Sequence, residues 1–290
     1  MEGFEFNKIY VIESLNEKKE CLTGKALHDD LLRWKQEQIK DLKTELIQVD
    51  TKTDFFKKLD NIKKECTLNN SYPILHFEIH GEENQTGLVL NSDELVTWEE
   101  LYKDLINLNK TLGNNLFITL AVCHGAYIMS LIKLNNPSPF WGFVGSFDEI
   151  TSSDLMIRYN EFYDDLLSNF DLVSAINRLH NSNPNIPSSY RFINSEEIFK
   201  EVYIKYLAEK FSEEQIEIRV KDAIKDNNLT FKNQKEYYKF KGDFEIALLN
   251  TKKDYFESHK KAFFMIDDFP ENEYKFNITY EDVNPVKSNL

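Results

Sequence analysis

A nearly unbroken apolar run, Leu116–Val122 (LFITLAV), constrains this chain more than any other segment. It is far shorter than the roughly 20 residues a membrane-crossing helix needs. It also lacks the in-out alternation of a strand with one wet face. A short run of this kind reads as a strand buried on both faces, and such strands belong to mostly parallel sheets covered by helices on both sides.

The surrounding pattern agrees. Phe6–Ile12 (FNKIYVI), Glu45–Val49, Ile74–His80 (ILHFEIH) and Phe140–Gly145 (FWGFVG) read as further strands. Between them, Thr23–Lys43 and Thr53–Cys66 carry apolar residues at helical spacing, and Ser152–Phe170 is strongly amphipathic. Gly87–Leu90 reads as a small hairpin arm. Thr97 followed three residues later by Glu100 is a capping box that opens another helix. Alternating strands and helices imply an α/β fold with helices on both faces of the sheet.

Asn181–Ser189 (NSNPNIPSS) is the clearest loop, and Tyr190–Ile193 adds a strand after it. Ser195–Ile224 and Lys235–Phe264 read as charged helices, and the alternation in Tyr274–Val283 suggests a late edge strand. The expected division is a core of residues 1–193 and a mostly helical C-terminal extension, 194–290, packed on it. Tyr203, Tyr206, Phe211, Tyr237, Tyr238, Phe240 and Phe244 are expected in its helix cores, or on a partner-docking face. The acidic run Asp267–Glu273 reads as solvated surface.

Composition narrows the partners. The formal charge is −14 and the pI about 5.0, so phosphate backbones are repelled and nucleic acid is not an expected direct partner. The three cysteines, Cys21, Cys66 and Cys123, are odd in number and unpaired in spacing. That argues against a disulfide framework and for a reducing compartment. Met1–Tyr10 has no apolar core of a signal peptide, and no apolar run approaches the length of a membrane span. The expectation is a cytoplasmic protein without a membrane partner.

In open parallel sheets the working residues lie just beyond the carboxyl ends of the strands. His80 and Cys123 hold that position on two different strands, and each is closely followed by a glycine. A thiol peptidase needs a nucleophilic sulfur, a base for its proton and donors for the tetrahedral oxyanion. Cys123 and His80 are the catalytic candidates. The backbone N–H groups of Gly81 and Cys123 are the oxyanion-hole candidates, with Gly81 letting a substrate carbonyl approach. His124-Gly125-Ala126 reads as an entry into a helix whose N-terminus would favour a thiolate.

Other readings stay open at neighbouring residues. Asp148 and Glu149, after the fifth strand, either bind a substrate Arg or Lys or are solvated loop acids. Glu78 either orients His80 or is buried under a helix. His124 is a surface or substrate-contact residue, because adjacent side chains diverge. Asp154 reads as a first-turn helix acid. His76, His80, Cys123 and His124 lack ordered zinc-ligand spacing. No arginine follows Cys123 at phosphatase-loop spacing.

The ordered segments HFEIHG, GLVLNSDELVTWEEL and LFITLAVCHGAY, continuing through FWGFVGSFDEI and DLMIRYNEFYDDLL, resemble the CHAT family of caspase-like cysteine peptidases of clan CD. The resemblance covers roughly residues 70–180. It implies a caspase-like three-layer sandwich and a cysteine endopeptidase with His80 as base and Cys123 as nucleophile. It also implies no metal or organic cofactor, a protein substrate, an activating protein partner, and a place in bacterial antiphage defence. The Gln-Ala-Cys context of caspases is absent, so aspartate specificity is not expected. The competing classes are a non-catalytic caspase-like interaction module and a small-molecule thiol hydrolase.

Overall fold

The structure, a computed structural model, describes residues 3–284. The chain forms two compact units, one of Met1–Ile132 and Ser138–Ser195, the other of Lys133–Pro137 and Glu196–Leu290.

The first unit is built on one mixed sheet. Its strands are β1 (Lys8–Ser14), β2 (Lys43–Gln48), β3 (Pro73–Gly81), β4 (Gly87–Val89), β5 (Leu95–Thr97), β6 (Phe117–Ala121), β7 (Gly142–Ser146) and β8 (Tyr190–Asn194). The main path runs β2-β1-β3-β6-β7-β8; it is parallel as far as β7, and β8 pairs antiparallel with β7. The arm β4–β5 leaves the end of β3 as an antiparallel extension. All five residues of β6 are buried, as its apolar run requires.

Helices alternate with the strands: α1 (Thr23–Leu27) and α2 (Arg33–Gln38), joined by a π turn at His28–Leu32, then α3 (Lys52–Asn69), α4 (Trp98–Thr111), α5 (Ser152–Asn169) and α6 (Leu172–Asn181). The two-residue period of β3 separates the layers. His76 packs edge-on against Tyr159 and Tyr163 of α5, and Glu78 accepts a hydrogen bond from Thr23 of α1. Phe77 points the other way, with its ring 6.2 Å from Phe55 of α3. Helices α1 and α5 therefore cover one face and α3 the other. The Thr97–Glu100 capping box closes the first turn of α4.

The stretch after Cys123 departs from expectation. His124 takes a left-handed conformation, φ 59°, and leads into a short 3₁₀ turn, Gly125–Leu131, instead of an α-helix. Its N–H donates to the Asp148 carbonyl at 3.2 Å and its ring bonds the Phe147 carbonyl at 2.8 Å. These two bonds fix the residue outside helical geometry, so a helix terminus is removed from the candidate chemistry.

The second unit is helical: α7 (Ser195–Lys210), α8 (Glu213–Asp226), α9 (Gln234–Phe263), α10 (Asn272–Lys275) and α11 (Tyr280–Val283). Phe199, Tyr203, Phe256, Phe263 and Phe264 form its buried aromatic cluster. Phe211 is also buried, whereas Tyr238 is exposed and Tyr206, Tyr237, Phe240 and Phe244 are half-buried. The edge strand expected over Tyr274–Val283 does not form; two short helices take its place. Phe276 stacks on Phe264 at 4.5 Å, and a capping box between Thr279 and Asp282 opens α11. The alternation read as a strand reflects Phe276 and Ile278, both buried.

Candidate active site

The registers of the parallel strands bring the two candidate residues level. Glu78 of β3 pairs with Ala121 of β6, and His80 and Cys123 lie two residues further along each chain. Both line a cavity of about 260 Å³ at this end of the sheet, wholly within the first unit. The loop after β1 and the start of α5 close its sides through Glu20, Cys21, Thr23, Ser152 and Leu155.

Cys123 is half-buried. Its Sγ accepts the Ile150 N–H at 3.3 Å and lies 3.7 Å from the Ile150 carbonyl. The β7–α5 turn that presents Ile150 is held by His124, as described above, and by Ser146, whose Oγ accepts the Asp148 N–H at 3.0 Å. His124 thus shapes the turn and stands apart from the dyad.

The His80 side chain is 58% exposed, and its Nε2 lies 2.8 Å from Glu20 Oε2. The other Glu20 oxygen accepts the Asn16 N–H at 2.6 Å. With the Nε2 proton committed to Glu20, Nδ1 is the nitrogen left to accept a proton. Glu20 was not among the sequence candidates. It lies sixty residues from His80 in a charged turn, NEKKE, that reads as solvated surface. The available signal was topological: the segment following β1 ends beside the end of β3 in any parallel sheet that pairs them.

Glu78 belongs to a different network. Its Oε1 is 3.0 Å from His76 Nε2 and its Oε2 accepts the Thr23 hydroxyl at 2.7 Å. His76 Nδ1 lies 2.7 Å from Thr119 Oγ1, which lies 2.8 Å from the Tyr163 hydroxyl. Tyr163, Thr119, His76 and Glu78 thus form one continuous buried hydrogen-bonded chain. Burial, with the Glu78 charge as a lesser contribution, holds the Tyr163 phenol well above its usual range. Glu78 therefore does not orient His80.

Gly81 is required for a reason other than the one anticipated. A Cβ there would overlap the Cys123 carbonyl oxygen, so glycine lets the ends of β3 and β6 meet. Glu82 N–H donates to the Gly87 carbonyl at 3.0 Å. By ladder alternation Gly81 is then a non-hydrogen-bonded position opposite Leu88, and its N–H turns away from β4.

Asp148 and Glu149 are exposed on the turn and do not line the cavity; its carboxylates are Glu20 and Glu78. Asp154 is in the first turn of α5, as expected, but is also buried and paired with Arg158 at 2.7 Å. Among the described residues no group of three or more His, Cys, Asp or Glu is arranged to hold a metal ion, and no helix is long and apolar enough to cross a membrane. No family model matches the chain, and no curated protein matches it.

Proposed function

We propose that this chain is a cysteine endopeptidase of the caspase-like kind, with Cys123 as nucleophile and His80 as general base and acid. The observation that carries the reading is the thiol and the imidazole at level positions on adjacent parallel strands, opening onto one cavity. The layered α/β architecture and the ordered motifs between residues 70 and 180 support the CHAT resemblance and a caspase-like sandwich.

The chemistry follows from the groups present. Cys123 gives its proton to His80 Nδ1, and the thiolate attacks the scissile carbonyl. The Gly81 N–H, turned away from β4, and the Cys123 N–H stabilise the oxyanion. The protonated His80 then gives its proton to the leaving amine. Water, activated by the same imidazole, hydrolyses the acyl-enzyme. Glu20 holds the ring in the tautomer that leaves Nδ1 free.

In this structure the Cys123 sulfur is engaged by the Ile150 peptide group. That engagement supports activation by a protein partner that shifts the β7–α5 turn. The family resemblance adds a protein substrate and antiphage defence as the setting.

The test is cleavage of a fluorogenic peptide panel by wild type and Cys123→Ala, with an acyloxymethyl ketone as active-site label. Turnover, or labelling at Cys123, that is lost in the variant upholds the peptidase. A sulfur that iodoacetamide alkylates but no peptidyl ketone labels, with or without cell extract as a source of activator, favours the interaction module.

A further inference from the structure

We infer that the cavity beside Cys123 is the primary specificity pocket and receives a lysine or arginine side chain, with Glu78 reading its charge. This deepens the peptidase reading and rests on it.

The argument starts from an unusual carboxylate. Glu78 is 1% exposed, and acids are almost never so buried without a cationic partner. Asp154, at 4%, obeys that rule through Arg158. Glu78 has no lysine or arginine partner. Among the described residues its ionisable partner is His76, whose Nε2 lies 3.0 Å from Glu78 Oε1 and whose Nδ1 lies 2.7 Å from the Thr119 hydroxyl. Two donors reach a group that can accept about four hydrogen bonds. The side of Glu78 left over lines the cavity, and no lysine or arginine lines it.

The rest of the cavity suits a long basic side chain. Leu15, Ala121, Ile150 and Leu155 offer apolar wall to an aliphatic stem, and Glu78 lines the same cavity. An apolar P1 residue would fill the walls and leave Glu78 buried without a counter-charge. An acidic one would meet like charge.

The experiment uses the full chain and peptidyl acyloxymethyl ketones that differ only at P1: Lys, Arg, Leu and Asp. Labelling at Cys123 is followed by mass spectrometry in wild type and Glu78→Gln. The Lys and Arg reagents are expected to label at least thirtyfold faster than Leu or Asp. Glu78→Gln removes that advantage, a change on the order of thirtyfold to a few thousandfold for losing one partner of a desolvated charge pair. Equal rates, or a faster Leu or Asp reagent, overturn the assignment.

If no ketone labels, with or without cell extract as a source of activator, the peptidase reading fails separately, and agmatine protection of Cys123 against iodoacetamide reads the pocket alone. Protection in wild type that Glu78→Gln abolishes upholds the cation site; its absence overturns it. Should Glu78→Gln not fold, Ser152→Lys at the cavity edge supplies a tethered cation and is expected to erase the same preference.

Discussion

Arg158 offers a sharp test of how the wall behind this cavity is held. The side chain is fully buried on α5 and makes five hydrogen bonds. Its Nε reaches both Asp154 oxygens at 2.7 and 2.8 Å, and Nη1 reaches the Leu179 and His180 carbonyls at 2.8 and 3.0 Å. Nη2 takes the Ile186 carbonyl. Helix α5 also supplies Ser152 and Leu155 to the cavity, so the clamp fixes the segment around residues 179–186 to a wall of the site. Arg158→Met keeps most of the aliphatic volume and removes every donor. The carbonyl at Ile186 lies on an exposed segment and can turn to water, so the cost concentrates on Asp154, left buried with Asn183 as its remaining side-chain partner. Breaking a buried pair from one side costs about 3–5 kcal/mol. At an m-value of about 2 kcal/mol per M, the urea midpoint falls by about 2 M. Two units make a single global transition unsafe to assume, but Trp34, Trp98 and Trp141 all belong to the first unit, so tryptophan fluorescence follows that unit alone. Replacing both partners, Asp154→Leu with Arg158→Met, removes the stranded charge and is expected to recover most of the loss. A single-variant loss under about 1 kcal/mol, or a double variant no better than the single, refutes the clamp.

Three further outcomes follow from other groups. Burial, reinforced by the neighbouring Glu65 charge, pushes the Cys66 thiol up to about 12. At pH 8 Ellman's reagent should therefore titrate two thiols in the native chain, Cys21 and Cys123, and a third only in denaturant. Glu20→Gln weakens a pair whose side chains are 28% and 58% exposed. Solvent-exposed pairs contribute about 0.2–1 kcal/mol, so the expected fall in kcat/KM is about two- to fivefold, equal for Lys and Leu substrates. A fall beyond a thousandfold, as for a buried triad acid, would show the pair to be desolvated in the working state. Burial, together with the Arg158 and Arg191 charges, holds the His180 imidazole below its usual range. Its folded state resists protonation, so its contribution is intact above about pH 6.5 and declines as pH falls below that. The stability difference between wild type and His180→Gln should shift against wild type between pH 7 and pH 5, and a pH-independent difference would rule this out.

The sheet was legible because its signals are local. A run such as LFITLAV has no stable place except a doubly covered strand, and the Thr97–Glu100 box opens its helix whatever lies around it. Strand ends were read within about two residues, as Phe6–Ile12 against β1 shows. The misreadings arose where a tertiary contact overrode a local pattern. Phe276 and Ile278 alternate as strand residues do, but the Phe264 ring sets their path. Two carbonyl contacts to the β7–α5 turn stop an α-helix at His124.

The site shows the same division more strongly. His80 and Cys123 could be singled out because each directly follows an apolar run that reads as a strand, and the proposed dyad rests on that placement. The acids could not be found that way, because their roles depend on which loop meets which strand end. Asp148 and Glu149 follow the strand next to Cys123, where the sequence fits either specificity residues or solvated loop acids. However, the Phe147 and Asp148 carbonyls are tied to His124, and both carboxylates end up outside the cavity. Glu20 and Glu78 line the cavity instead, one through a turn sixty residues from His80 and the other from within β3. Sequence spacing cannot separate these roles, since His76, Glu78 and His80 share one strand face. What separates them is depth. His80, at the strand's open end, is 58% exposed and is the residue that the proposed peptidase brings to its substrate. Glu78, one pleat inward, is buried and held by His76 and Thr23, a fixed placement that suits recognition in that proposal better than proton transfer.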